Sequence, residues 1–390
     1  MKEIHKIVIT GGPCGGKTTA LEVVSKIFRE EGFTVLTVNE TATELIKDGI
    51  KPFGNEKDRL KILDFQKLIL EAQLAKEKIR EYAANVCENE KVVILHDRGI
   101  FDNRAYLTDE EFQKMIEEKG LKEAKMLSNY DLVIHLVTAA NGKEEYYTTL
   151  NNTARTETPE EARKKDDDTM EAWSNHPNLK IVGNDCLFDE KMHIVGNIIR
   201  DHLGKKEVIE QEKYIVEFDR FDLVELCNKQ LVHMFKEEIV EFAKSYNDTE
   251  DEMYRKSTIN GSSYYTYTKI RYNVDGTKTT VQRNVTEEEF LNELDKIDGE
   301  GIEKTRYNFI FNGERYRLDM YHDPSKLTTL ERDVTNKKNK TLPGFIKSKH
   351  EITDDRDYST LNIYNYLNEE KKKRKKEEIR RKLKIRTQEF

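Results

Sequence analysis

Apolar residues in the first half of the chain fall in short unbroken runs, such as Ile7-Val8-Ile9, Val92-Val93-Ile94-Leu95 and Leu132-Val133-Ile134. Runs of this kind predict strands buried on both faces, here over Lys6–Thr10, Thr34–Asn39, Lys91–His96, Asp131–Thr138 and Leu179–Gly183. Between them apolar positions recur at helical spacing, which predicts helices over Thr18–Glu31, Lys57–Glu88 and Lys191–Leu203. Strands alternating with helices imply an α/β layer structure, with a parallel sheet, helices on both faces and right-handed crossovers.

The pattern changes after Leu203-Gly204. Residues 205–213 are polar and read as a linker. Period-two strands follow over Glu238–Tyr246, Glu252–Thr258, Ser263–Tyr272, Thr277–Val285, Glu303–Phe311, Glu314–Tyr321 and Leu327–Val334. The turn signals NDTED, INGS, NVDG and NG separate them, and a helix is expected over Glu287–Ile297. This predicts an antiparallel meander closed into a barrel or strongly curved sheet. The expected organisation is therefore 1–204, a linker at 205–213, a barrel domain at 214–367 and a basic tail at 368–390, helical or disordered.

Charge and cysteine content narrow the class. The chain has 390 residues, 36% of them charged, and a net charge of −8, which argues against a dedicated nucleic-acid binder. Cys14, Cys87, Cys186 and Cys227 form no CxxC pair, so neither a disulfide framework nor a zinc knuckle is expected. No stretch is apolar enough for a membrane span, and a cytoplasmic location is the expectation.

The strongest chemical signal is ITGGPCGGKTTALE, directly after the first strand. Gly11, Gly12, Pro13, Cys14, Gly15, Gly16, Lys17 and Thr18 match GxxxxGK[ST] in full, and Thr19 follows in the same helix start. Glycines let main-chain amides face phosphates, Lys17 reaches the β and γ phosphates, and the Thr18 hydroxyl is placed to hold Mg²⁺. The partner is ATP or GTP; nothing in the residues chooses the base.

Other groups gather around that loop in the sequence reading. KVVILHDRG ends a strand in Asp97, either a Mg²⁺ partner or a cap of the next segment, with Arg98 beside it and Asp102 completing DRGxxD. Glu40 is a candidate general base, a substrate contact or simply a helix-start glutamate. Arg155 and Arg163, in NNTARTETPEEARKKDDD, suit a mobile lid that meets developing phosphate charge, or ordinary surface ion pairs.

In the second half basic residues recur two apart: Lys269 and Arg271, Lys304 and Arg306, Arg315 and Arg317, with Arg255 and Lys256 adjacent. Like charges about 6 Å apart repel by roughly 3 kcal/mol at an effective dielectric of about 20. If they line a barrel interior, they need internal carboxylates or a bound polyanion. Glu217, Asp319, Glu331 and Asp333 are the candidate acids, or holders of a divalent metal.

The order phosphate loop, DRGxxD, arginine lid, then YYTYTKIRY, IEKTRYNFIF and LTTLERDV resembles a two-domain family. That family, the TRPL translocation defect proteins, joins a kinase-like AAA phosphate-loop domain to a CYTH domain of the triphosphate-tunnel fold. The resemblance implies nucleotide with Mg²⁺ at Gly11 to Thr18. It also implies a phosphorylated ligand in the barrel: triphosphate, polyphosphate or an acidic phospholipid headgroup. The CYTH opening strand ExExK is reduced here to YIVEFDR with Glu217, and TVQRNV around Arg283 lacks paired acids, which implies ligand binding without turnover. The expected function is Mg²⁺-dependent triphosphate binding and hydrolysis coupled to the barrel ligand. A small-molecule kinase and a nucleotide-switched adaptor in peripheral membrane contact are the alternatives.

Overall fold

The computed structural model describes residues 2–50, 52, 59–147, 158–204, 211–218, 225, 227, 232–247, 249–272, 278–297, 299–323, 327–334, 341–353 and 355–386. Arg155 and the NVDG turn lie outside the described residues.

The first half runs β1 (Glu3–Thr10), α1 (Lys17–Glu30), β2 (Thr34–Val38), α2 (Thr41–Lys47), α3 (Arg59–Val86) and β3 (Lys91–Asp97). A 3₁₀ turn over Ile100–Tyr106 leads to α4 (Asp109–Glu118), α5 (Glu123–Leu127), β4 (Leu132–Leu136), α6 (Pro159–Ala172), β5 (Leu179–Val182) and α7 (Phe188–Leu203). The five strands form a parallel sheet in the order β2-β3-β1-β4-β5. The chain leaves β1 for one edge and later crosses to its other side. The carboxyl end of β1, flanked by β3 and β4, is therefore the switch point where open α/β sheets bind ligands. One face packs Ile7, Ile9, Val93, Leu95 and Ile134 against α1 and α7. The other packs Val8 and Val133 against the 3₁₀ turn, α4 and Trp173.

The second half contains β6 (Gln211–Phe218), β7 (Phe235–Asn247), β8 (Glu250–Ile259), β9 (Ser262–Tyr272), β10 (Lys278–Val285), α8 (Glu287–Leu294), β11 (Ile302–Phe311), β12 (Glu314–Tyr321), β13 (Thr328–Asp333), β14 (Ile346–Glu351) and α9 (Thr360–Arg386). The nine strands form one sheet in the order β10-β9-β8-β7-β11-β12-β13-β6-β14, and every pairing is antiparallel. It is not a simple meander. β7 pairs with β11, and β6 returns between β13 and β14. β6 also begins at Gln211, inside the segment read as a linker. The tail belongs to α9, which starts at Thr360 and packs Ile363, Tyr364 and Leu367 onto Ile302, Ala243 and Tyr321. Among the described residues, no helix is long and apolar enough to cross a membrane.

The two halves share a core. Ile259 and Tyr264 of the antiparallel sheet join the cluster that holds Phe112, Leu127 and Trp173, and Ile310 packs with Val137 and Met170.

Candidate functional site

Strand β1 ends at Thr10 and the chain turns sharply over Gly11 to Gly16 before α1 begins at Lys17. At Gly11, φ is +138°, and an added Cβ would lie 2.1 Å from the Leu136 carbonyl oxygen, so only glycine fits where the loop crosses the end of β4. Thr138 buttresses the loop from outside by donating from Oγ1 to the Pro13 carbonyl. From beneath, the Gly12 amide donates to Asp166 Oδ1 at 2.6 Å, and that carboxylate also meets His135 Nε2 at 3.0 Å.

Lys17 is buried and folds over the loop, donating to the carbonyls of Gly11 (2.9 Å) and Gly12 (2.7 Å). Burial, reinforced by the neighbouring Arg98, lowers its pKa to about 8. Thr18 and Thr19 are exposed on the first turn of α1, where the helix N-terminus adds to the anion site.

Register places Asp97 opposite Ile9, at the mouth of the loop. Its Oδ1 is buried and has no hydrogen-bond partner, and burial together with Glu40 raises the carboxyl pKa to about 6. The next residue, Arg98, stands at φ +70°. Its guanidinium donates to Glu40 Oε1 (2.6 Å), Asp102 Oδ1 (2.9 Å) and the Gly11 carbonyl (3.2 Å). Burial alone would raise the Glu40 carboxyl, but Arg98 and Lys17 hold it at about 2. A carboxylate held that low is a weak proton acceptor, and in this structure Glu40 orients Arg98.

Asp102 is the hub of this arrangement. Oδ1 accepts from Thr10 Oγ1 (2.5 Å) as well as Arg98, and Oδ2 accepts from the Gly99 amide (2.9 Å) and Trp173 Nε1 (3.0 Å). Sequence reasoning saw Asp102 in DRGxxD but missed Asp166, His135 and Trp173. The lone tryptophan, and the acids following Arg163, were the only signals available. Arg163 does not reach the phosphate loop. Its guanidinium donates to the Ala140 carbonyl at 2.6 Å and lies 3.5 Å from Glu144.

Thr18 and Asp97 fit Mg²⁺. The buried Asp97 oxygen lacks any partner, and Mg²⁺ takes one or two protein oxygens while the triphosphate supplies the rest. Among the described residues, no cluster of three His, Cys, Asp or Glu side chains could hold a metal by itself.

In the barrel, register sorts the basic residues into two faces. Arg255, Lys304, Arg306, Arg315 and Arg317 share the inner face with Lys213. Lys256, Lys269 and Arg271 do not. They alternate to the outer face, where Lys269 and Arg271 both meet Glu250 at 2.7 Å.

The inner face is not acid-poor either. Lys304 meets Glu241 (2.6 Å) and Asp319 (2.9 Å). Arg306 donates to both oxygens of Asp319, Arg317 pairs with Glu331 and Asp333, and Arg255 with Glu241. Burial would raise Glu241, yet Lys304 and Arg255 bring it down to about 2. Asp319, Glu331 and Asp333 thus act as counter-ions. Glu217 faces solvent near the Ser348 hydroxyl. Asp319, Glu331 and Asp333 are each occupied by a cationic side chain, and Glu217 lies apart from them.

Arg315 reaches from the antiparallel sheet to the first half. It donates to the carbonyls of Ser174 (3.0 Å) and Pro177 (3.3 Å), and Asn308 donates to Asn175 Oδ1 (3.0 Å). Burial and Arg317 lower the Arg315 pKa to about 9, so it stays charged at neutral pH. A cavity of about 220 Å³ lies beside this contact, between the loops after β4 and β5 and the Asn312-Gly313 turn; Asn141, Asn184 and Asp185 line it.

Residues 6–190 match a family model described as an AAA domain. No curated protein matches the chain. Among solved structures, the inorganic triphosphatase NE1496 is similar over 40% of this chain and 95% of its own, at 17% identity and a TM-score of 0.27. A second structure, of the hypothetical protein NE1496, is similar over 40% of this chain and 97% of its own, at 17% identity and a TM-score of 0.27. PH1819 from Pyrococcus horikoshii OT3 covers 33% of this chain and 80% of its own, at 14% identity and a TM-score of 0.25. The stretch that matches an AAA domain is the stretch that carries the phosphate loop, Glu40, Asp97, Arg98 and Asp166.

Proposed function

We propose that the chain binds ATP or GTP with Mg²⁺ at Gly11–Thr19 and cleaves its terminal phosphoanhydride, with water as acceptor. The observation that carries this reading is the unpartnered Asp97 oxygen at the mouth of a complete phosphate loop. Thr18 and Asp97 would hold Mg²⁺, whose charge offsets that of the phosphate oxygens when bound. Lys17 exchanges the Gly11 and Gly12 carbonyls for phosphate oxygens. Arg98, fixed by Glu40 and Asp102, presents a preorganised positive charge that needs no solvent rearrangement as negative charge shifts. The amide and carboxylate groups of the 220 Å³ cavity support a seat for the base, since purine edges carry donors and acceptors that such groups match.

A second reading, transfer to a hydroxyl acceptor, is favoured by the same Asp97. A carboxyl titrating near 6 can take a proton from an attacking hydroxyl at neutral pH. Incubation with γ-labelled ATP or GTP, with and without nucleosides, cofactors and phospholipid precursors, separates the two. Phosphate released without an acceptor supports hydrolysis; label found only on an acceptor supports a kinase. Undiminished nucleotide affinity in Lys17→Ala overturns both.

For the barrel, the CYTH resemblance supports uptake of a phosphorylated ligand, and the ion pairs set the condition. A polyanion enters only by exchange, releasing Glu241, Asp319, Glu331 and Asp333 from their cations. Uptake is therefore expected to need a divalent cation arriving with the ligand to satisfy the freed carboxylates. The division at residues 205–213, with the phosphate loop before it and the barrel after it, belongs to the same reading.

A further inference from the structure

The inner face of the barrel balances its own charges, whereas one region outside it does not. Where α5 meets the ends of β8, β9 and β10, a cleft of about 750 Å³ opens between the two halves. Lys122 and Lys125 line it from the α5 side and Lys256 from the outer face of β8. Among the described residues, none of these three ammoniums has a carboxylate partner. The one acidic side chain in the lining, Glu287, accepts a 2.6 Å hydrogen bond from the Tyr265 hydroxyl.

One further feature marks the cleft as built. Within the lining, Asn284 donates to the Ser128 carbonyl at 2.8 Å across the halves, and outside it Asn260 donates to Glu123 at 2.9 Å. The volume is that of a small-ligand pocket, and the lining is too basic for an apolar occupant.

We propose that this cleft is a binding site for a multiply charged phosphate group, gripped by Lys122, Lys125 and Lys256. The site is separate from the phosphate loop and from the barrel interior. Because the lysines come from both halves, a bound phosphate would tie α5 to the antiparallel sheet. Compact ammoniums suit the phosphate of a soluble metabolite and that of a lipid headgroup equally, so the chemistry is shared and the source is for experiment.

The test uses the full chain carrying Lys17→Ala, so that the phosphate loop takes no part. Inorganic pyrophosphate is titrated by calorimetry, and sedimentation is followed with vesicles of phosphatidylcholine mixed with phosphatidylinositol 4-phosphate. Binding to pyrophosphate identifies a soluble occupant, and binding to vesicles alone identifies a lipid headgroup. Either should weaken about tenfold or more for each lysine replaced by alanine, and should fall with added salt. Lys269→Ala, whose lysine is already paired with Glu250, should leave binding unchanged. Without ligand, the Lys122→Ala/Lys125→Ala/Lys256→Ala variant should melt no lower than its parent, since only like charges are removed. Binding that survives the triple substitution, absence of binding in both arms, or a lowered ligand-free melting point would each overturn the proposal.

Discussion

The Gly12 amide donates to Asp166 Oδ1 at 2.6 Å, which ties the phosphate loop to the helix that follows β4. A Cβ on Gly12 would fall 2.6 Å from that oxygen and 2.7 Å from the Asp166 Cβ. Helix and loop therefore fit only with glycine present. Gly12→Ala should abolish nucleotide binding. Asp166→Asn keeps the acceptor and should retain most affinity, whereas Asp166→Ala leaves a buried amide unmet and should cost about 1–3 kcal/mol of stability. Fluorescence titration with a labelled nucleotide and thermal melting of the three variants check this.

Nucleotide affinity should depend on pH through Lys17. Its pKa is about 8 in the free protein and should rise once phosphates surround it. Below about pH 7 the ammonium is already charged and affinity should be flat. As pH rises past about 8, binding must take up a proton, and affinity should fall by up to tenfold per unit. Calorimetry in buffers of different ionisation enthalpy would detect that proton.

Asp97 offers a trade between stability and function. A carboxyl whose pKa is raised to about 6 destabilises the fold as pH climbs from about 4 through 6, and the full effect is present at neutral pH. Asp97→Asn should therefore make the nucleotide-free protein more stable at pH 7, by up to about 3 kcal/mol. The same variant should lose Mg²⁺-dependent cleavage. Chemical denaturation paired with a phosphate-release assay tests both halves of the statement.

Glu241 predicts the opposite slope. Its pKa is depressed to about 2, so its stabilisation is complete above about 4.5 and is lost as pH falls toward 2. Glu241→Gln strands Lys304 and Arg255 and should cost about 3–5 kcal/mol at pH 7. That deficit should shrink on acidification. Melting curves of the two proteins across the acid range would show the gap close.

Much of the first half was legible because its strands are unbroken apolar runs and its chemistry sits on a contiguous motif. Asp97 could be placed beside the loop because strand ends in a parallel sheet converge. Asp166 and Trp173 were not visible, since their roles arise from α6 folding back beneath β1, over a separation no local pattern records. In the barrel, period-two spacing identified strands but not which face turns inward. On β9 the neighbours Tyr264 and Tyr265 are both buried, one against Glu237 and one against Phe290. Lys269 and Arg271 were for that reason assigned to the wrong side. The insertion of β6 between β13 and β14 is a long-range pairing that neighbouring residues do not encode.

The Arg315 contacts reach beyond the site. An arginine charged at neutral pH, sealed inside and satisfied by main-chain oxygens of the other half, cannot be uncovered cheaply, and Ile310 and Asn308 would be bared with it. Neither half is then expected to melt on its own schedule. Differential scanning calorimetry of the whole chain should give one endotherm whose van't Hoff and calorimetric enthalpies agree, and residues 211–386 expressed alone should aggregate or melt far earlier.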